Sequence, residues 1–148
     1  MEKLLEVKNL QTQFVQGEQP LTIIDDISFT VRKGEMLGLV GESGSGKSVT
    51  SLSIMKLFKG TTGKVTDGEI LFKTQKISAY SDAKMRKVRG KQISMIFQEP
   101  MTSLNPVMKI GEQLTEVIRL HLKYSKSKAR AHAVEMLRKV GISRQNNC

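Results

Sequence analysis

The sequence predicts an α/β fold, on three observations. The first forty residues alternate apolar and polar side chains between turn signals, an apolar run then enters a glycine-rich turn opening a helix near residue 47, and helical spacing takes over beyond Pro106. At the start, Ile27, Phe29 and Val31 alternate with Ser28, Thr30 and Arg32, and Gly17 to Pro20 and Lys33-Gly34 are turn signals, which together read as an antiparallel sheet. Met36-Leu37-Gly38-Leu39-Val40 is the apolar strand leading into the turn, and Ser48 to Phe58 has the spacing of a helix leaving it. Gly60 to Asp67 reads as a linker, Gly68 to Phe72 as a strand, and Asp82 to Arg89 as a short polar helix. Ile93-Ser94-Met95-Ile96-Phe97 has the β-branched and aromatic composition of a strand covered on both faces. Two helical stripes follow, Ile110, Leu114, Val117, Ile118 and Leu122 on one, and Ala129, Ala133, Met136, Leu137 and Val140 on the other, with Gly141 as a stop. Residues Ser143 to Cys148 carry no periodicity or motif.

Composition narrows the classes. With 148 residues and 39% apolar content the chain has the size of one ordinary domain. Its one cysteine, Cys148, excludes an intrachain disulfide, and no signal-like apolar stretch precedes the first strand, so the cytosol is the expected compartment. Apolar runs are far shorter than the about 20 residues needed to span a bilayer, so membrane association is expected only through a partner. A net charge of +10 by itself raises nucleic acid or an anionic membrane surface as partners. The basic residues gather in Lys84 to Lys91 and Lys123 to Arg130, however, with Tyr124 the one aromatic among them, so no base-stacking platform is visible and they read as solvated helix faces.

Chemistry concentrates in Gly41-Glu42-Ser43-Gly44-Ser45-Gly46-Lys47-Ser48, a glycine, four free positions, then Gly-Lys-Ser. Set between a strand and a helix, this is the phosphate-binding loop pattern: backbone amides converge on phosphate oxygens and the helix presents its unpaired amides and positive dipole end. Lys47 suits the β and γ phosphates as a point charge, and the Ser48 hydroxyl suits the Mg²⁺ shell. An ordinary glycine-rich helix cap explains the glycines but not Lys47 and Ser48 in sequence. A second motif, Ile96 to Pro106, places Gln98 at a strand end, where its amide oxygen can face a metal or water. Its alternative reading is a polar strand stop followed by a proline turn.

Together the two motifs resemble the ATP-binding subunit of an ATP-binding-cassette transporter. Gly-Glu-Ser-Gly-Ser-Gly-Lys-Ser-Val-Thr-Ser-Leu joined to Met-Ile-Phe-Gln-Glu-Pro-Met-Thr-Ser-Leu-Asn-Pro is similar to the dipeptide and oligopeptide importer branch, from about Leu4 to Ser143. The resemblance implies a phosphate-loop ATPase core with an N-terminal antiparallel β subdomain, over about residues 1–100, and the start of a helical subdomain over about 101–142. It assigns Gly41 to Ser48 (Gly41, Glu42, Ser43, Gly44, Ser45, Gly46, Lys47, Ser48) and Val49 to the ATP phosphates, Ser48 and Gln98 to Mg²⁺, and Gln98 to the attacking water. Residues Met101 to Val107 are implied to lie near the permease. Phe14 matches the placement of an adenine-stacking aromatic, and equally that of a core strand residue. The implied partners are a second ATP-binding subunit, two transmembrane permease subunits and an extracytoplasmic peptide-binding protein, at the cytoplasmic face of the membrane and with no nucleic acid.

The sequence also departs from the family. The Leu-Ser-Gly-Gly signature, a Walker B strand with its catalytic Glu, a D-loop and a switch His do not occur in it, and His121 and His132 fall within helical stripes. An N-terminal portion of a peptide-importer ATPase is therefore expected, inactive in isolation and prone to association because two buried-type strands lack their neighbours. The alternative is a regulatory or nucleic-acid-binding module that keeps a phosphate loop without an ATPase cycle.

Overall fold

The computed structural model describes residues 2–17, 19–97 and 104–142, in two compact units, Met1–Arg86 and Lys87–Cys148. The first is built on β1 (Lys3–Gln16) and β2 (Gln19–Arg32), a long hairpin, followed by the helix α1 (Lys47–Met55) and the strands β3 (Gly63–Phe72) and β4 (Gln75–Lys76). A 3₁₀ turn (Ile77–Ala79) and α2 (Asp82–Val88) come next. The strands form one antiparallel sheet in the order β2-β1-β3-β4, so β1 is bonded on both sides.

The face β1 presents to the core is set by a bulge. Val7 pairs with Ile70 and Phe29, but Leu10 pairs with Ile27, so β1 carries one residue more than its neighbours around Lys8 and Asn9. Asn9 adopts φ 47°, its amide donates to Ser28 Oγ at 2.8 Å, and its Nδ2 donates to Asp26 Oδ1 at 2.7 Å. The extra residue restores parity: Val7 and Leu10, three apart, are both buried, and Leu10, Thr12 and Phe14 continue on the same face. A second irregularity in β2, where Asp26 has φ 50°, turns Ile24 into the core as well. Ile70, Phe72, Ile77, Tyr80 and Met85 complete the apolar interior of this unit. Leu10 is fully enclosed, so Leu10→Ala should lower the unfolding free energy by about 2–5 kcal/mol, measured by urea titration with far-ultraviolet circular dichroism.

In the second unit α3 (Ile110–Leu122) and α4 (Lys126–Lys139) pack together. Ala129, Ala133 and Leu137, spaced by four, are the buried ridge of α4, and Ser125 caps its start by accepting from the Lys128 amide at 3.3 Å. Gln113 of α3 donates to the Asn105 and Met108 carbonyls at 3.0 and 3.1 Å and accepts from the Asn105 amide, tying the preceding segment to the helix. His132 meets the Tyr124 ring edge-on, and His121 lies beside Gly90.

Several expected elements differ. Gly63 to Asp67, expected as linker, belongs to β3, because the outer edge of β1 has bonding groups that these residues satisfy despite their polar composition. Met36–Val40 and Ile93–Phe97, expected as strands, are irregular apart from an isolated bridge between Arg89 and Ile93. A strand exists only with a hydrogen-bonded neighbour, and among the described residues neither run has a sheet beside it. Met36, Val40 and Ile96 are consequently almost fully exposed, at 97%, 97% and 94%. The loop helix ends at Met55 rather than Phe58, stopped by Lys56 in a left-handed conformation. The α3 stripe is likewise only half covered: Ile110, Val117 and Leu122 remain exposed, as does Val140 just past the end of α4.

Candidate functional site: the loop before α1

The turn from Gly41 to Gly46 is closed by its own ends. The Ser45 amide donates to the Glu42 carbonyl at 3.2 Å, and the Gly46 carbonyl accepts the first helical hydrogen bond of α1 from Thr50 N at 2.8 Å. Gly44 and Gly46 stand at φ 83° and 87°, the left-handed region. At Gly46 space is limiting too, since a Cβ there would lie 3.2 Å from the Ile23 carbonyl oxygen and 3.4 Å from Ile24. The start of α1 is thereby seated directly against β2. At Gly41 a Cβ would meet Ser45 Oγ at 2.5 Å, so a side chain there would displace the Ser45 hydroxyl folded against the turn.

Lys47, the first helical residue, folds back over the turn. Its ammonium donates to the Gly41 and Glu42 carbonyls at 2.7 and 2.6 Å and contacts Ser45 Oγ at 3.2 Å. The cation is thus held at the mouth of the loop, and the curvature of the loop is stabilised by it. Gly46 offers no side chain to cap α1, and among the described residues no other side chain caps it, which leaves the amides of Lys47, Ser48 and Val49 directed at the turn with the positive end of the helix dipole. Ser48 is exposed on that first turn. Uncapped amides, one ammonium and one hydroxyl, bonded to no carboxylate among the described residues, form a donor set suited to a polyphosphate and its accompanying hard cation. Among the described residues, the carboxyls held below their ordinary range are elsewhere: Glu6 by its hydrogen bond from Lys3, Glu69 by Lys76 and Glu135 by Lys139.

Phe14 lies in β1 opposite Leu21 and Gly63, its ring edge-on to Phe58 at 5.6 Å. A Cβ on Gly63 would fall 2.7 Å from that ring, so the aromatic lies across the glycine and remains half exposed. Gln98, expected at the metal and water, falls outside the described residues, as do Met101 to Ser103 of the segment assigned to the permease and the stretch 143–148. A separate groove of about 570 Å³, bordered by Lys56, Phe58, Lys64, Asp67, Lys76 and Asp82, includes no residue of the loop. Sequence reasoning missed two hydroxyl residues beneath the site, Thr12 and Ser53, which are fully buried and hydrogen-bonded to each other. Lying 41 positions apart, they offer no local pattern by which to pair them.

Fold and loop define the class of ATP-binding cassettes. The dimeric bacterial ABC transporter cassette MJ0796 superposes with a TM-score of 0.74 at 26% identity, covering 91% of this chain and 56% of that one. The sequence profile described as ABC transporter matches residues 24–147, and the chain belongs to that family. It is 51% identical over 144 residues to the oligopeptide transport ATP-binding protein AppD of Bacillus subtilis, covering 97% of this chain and 44% of the relative. It is 49% identical over 142 residues to the dipeptide transport ATP-binding protein DppD of the same organism, covering 96% and 42%. The chain therefore spans less than half the length of these curated relatives. Among the described residues no helix is long and apolar enough to cross a membrane.

Proposed function

We propose that this chain is the nucleotide-binding part of an ATP-binding subunit that powers a peptide ABC importer. The observation that carries this reading is the loop itself: an ammonium held over a glycine turn at the uncapped start of α1, in a chain about half identical to transport ATP-binding proteins named for oligopeptides and dipeptides. Gly41 to Val49 hold the phosphates of ATP, through amides at the turn and through Lys47. Ser48, with Gln98, supplies oxygen ligands to Mg²⁺, which when bound neutralises charge on the phosphates. Phe14 presents its ring to adenine. MJ0796 has been solved with ADP and phosphate bound, in keeping with this assignment.

The division into a β-rich nucleotide part up to about residue 100 and a helical part from about 101 belongs to the same proposal. So do its setting at the cytoplasmic face of the membrane and its assembly with a second ATP-binding subunit, two permease subunits and an extracytoplasmic peptide-binding protein. Membership of the transporter family disfavours the alternative of a nucleic-acid or regulatory module. No catalytic Glu or signature motif is present in the sequence, so ATP turnover by this chain alone stays at background while binding persists.

Calorimetric titration of the full chain with Mg-ATP tests the reading, and absence of any association with a folded sample overturns it. Phe14→Ala should weaken Mg-ATP about tenfold, the loss of about 1–2 kcal/mol of ring stacking, and leave inorganic tripolyphosphate unaffected. Equal weakening of both ligands would return Phe14 to a purely structural role against Phe58.

A further inference from the structure

We propose that Thr12 and Ser53 are positioning residues that set the separation between the base contact and the phosphate loop, and so allow the protein to favour a nucleoside triphosphate over bare triphosphate. The inference rests on the nucleotide-binding reading given above. The two side-chain oxygens are 2.8 Å apart and both residues are wholly buried. Ser53 Oγ donates its one proton to the Val49 carbonyl at 2.7 Å, so the Thr12 hydroxyl is the donor between the pair. The relay runs from β1, an inner strand of the sheet, through α1, to a carbonyl of the helical turn that carries Lys47 and Ser48.

Each end of that relay leads to one end of the nucleotide. Thr12 and Phe14 are two residues apart on one face of β1, and their pairing with β3 is regular, Thr12 with Val65 and Phe14 with Gly63. Val49 is two residues beyond Lys47. Apolar contact alone lets a helix slide on a sheet, because dispersion has no preferred direction; a buried hydrogen bond has one geometry, and leaving it unmade is costly. The hydroxyl pair therefore fixes where the loop stands relative to Phe14. A ligand that touches only the loop is indifferent to that spacing, whereas one that touches both loop and ring is sensitive to it.

The test is calorimetry on the full chain with two probes, Mg-ATP and magnesium tripolyphosphate. Thr12→Val and Ser53→Ala should each weaken Mg-ATP about tenfold, as expected if the correctly spaced state falls to roughly a tenth of the population, and leave tripolyphosphate within twofold. The double variant should be no worse than either single one, because one shared bond is lost. Thr12→Ser, which keeps the hydroxyl and drops the methyl, should restore Mg-ATP affinity and also guards against a variant that merely misfolds. The proposal is overturned by unchanged Mg-ATP affinity, by parallel loss of both probes, or by Thr12→Ser behaving like Thr12→Val. Should the unsubstituted chain bind neither probe, the nucleotide reading itself fails and takes this one with it.

Discussion

Lys47→Ala should abolish Mg-ATP binding in any practical titration, with the apparent Kd raised about 100-fold or more. The ammonium serves twice. It is the one cation bonded across the loop among the described residues, and by donating to the Gly41 and Glu42 carbonyls at 2.7 and 2.6 Å it also maintains the curvature that aims the amides inward. Charge-assisted hydrogen bonds are worth about 1.5–3 kcal/mol each, and about 2.7 kcal/mol already corresponds to 100-fold. Lys47→Arg should not rescue, because a planar guanidinium cannot direct donors at two carbonyls and a phosphate from one compact centre. Isothermal calorimetry decides it, with circular dichroism to show that the variant keeps its fold; Mg-ATP binding within threefold of the unsubstituted chain would place the nucleotide elsewhere.

The second large effect is on folding. Gly68→Ala should lower stability by about 3 kcal/mol or more, enough to unfold most of a marginal domain, as read from the urea midpoint. Gly68 has φ 91°, and an added Cβ would lie 2.4 Å from the Asn9 carbonyl oxygen and 2.6 Å from that of Lys8. These are backbone atoms of the bulge in β1, which cannot swing aside as the tip of a side chain can. The contrast is Gly17→Ala in the hairpin turn, where φ is also positive at 69° but nothing lies within 4 Å; there the cost should be only about 1 kcal/mol. A similar loss at both positions would show that backbone conformation alone, and not contact with the bulge, is being measured.

Much of the candidate site was legible in the sequence because its chemistry is local. Glycines at 41, 44 and 46 followed by Lys47 and Ser48 dictate a turn, a charge and a hydroxyl within eight residues, and the structure brings all of them to one place. The alternation in β2 and the four-residue spacing in α4 were legible for the same reason, since each repeats at the period of its own element. What escaped was non-local. The bulge at Asn9 breaks the two-residue period that a strand pattern relies on, and nothing local at Asp25-Asp26 marks the irregularity that the register shows inside β2. Gly63 to Asp67 have the composition of a loop and become strand because β1 supplies the partner. The opposite error at Met36–Val40 and Ile93–Phe97 has the same origin, for composition suits a strand but pairing decides it. Thr12 and Ser53 carry no motif, and only the fold joins them.

The bare apolar side chains of Met36, Val40 and Ile96 bear on how this polypeptide behaves in a tube or a cell. Contiguous exposed apolar surface of this kind is what chaperones clasp and what seeds precipitation. The net charge of +10 opposes such clustering at low ionic strength and is neutralised as salt is added, so turbidity should rise with both protein and sodium chloride concentration. Cooling should clear it, since attraction between oily surfaces weakens in the cold.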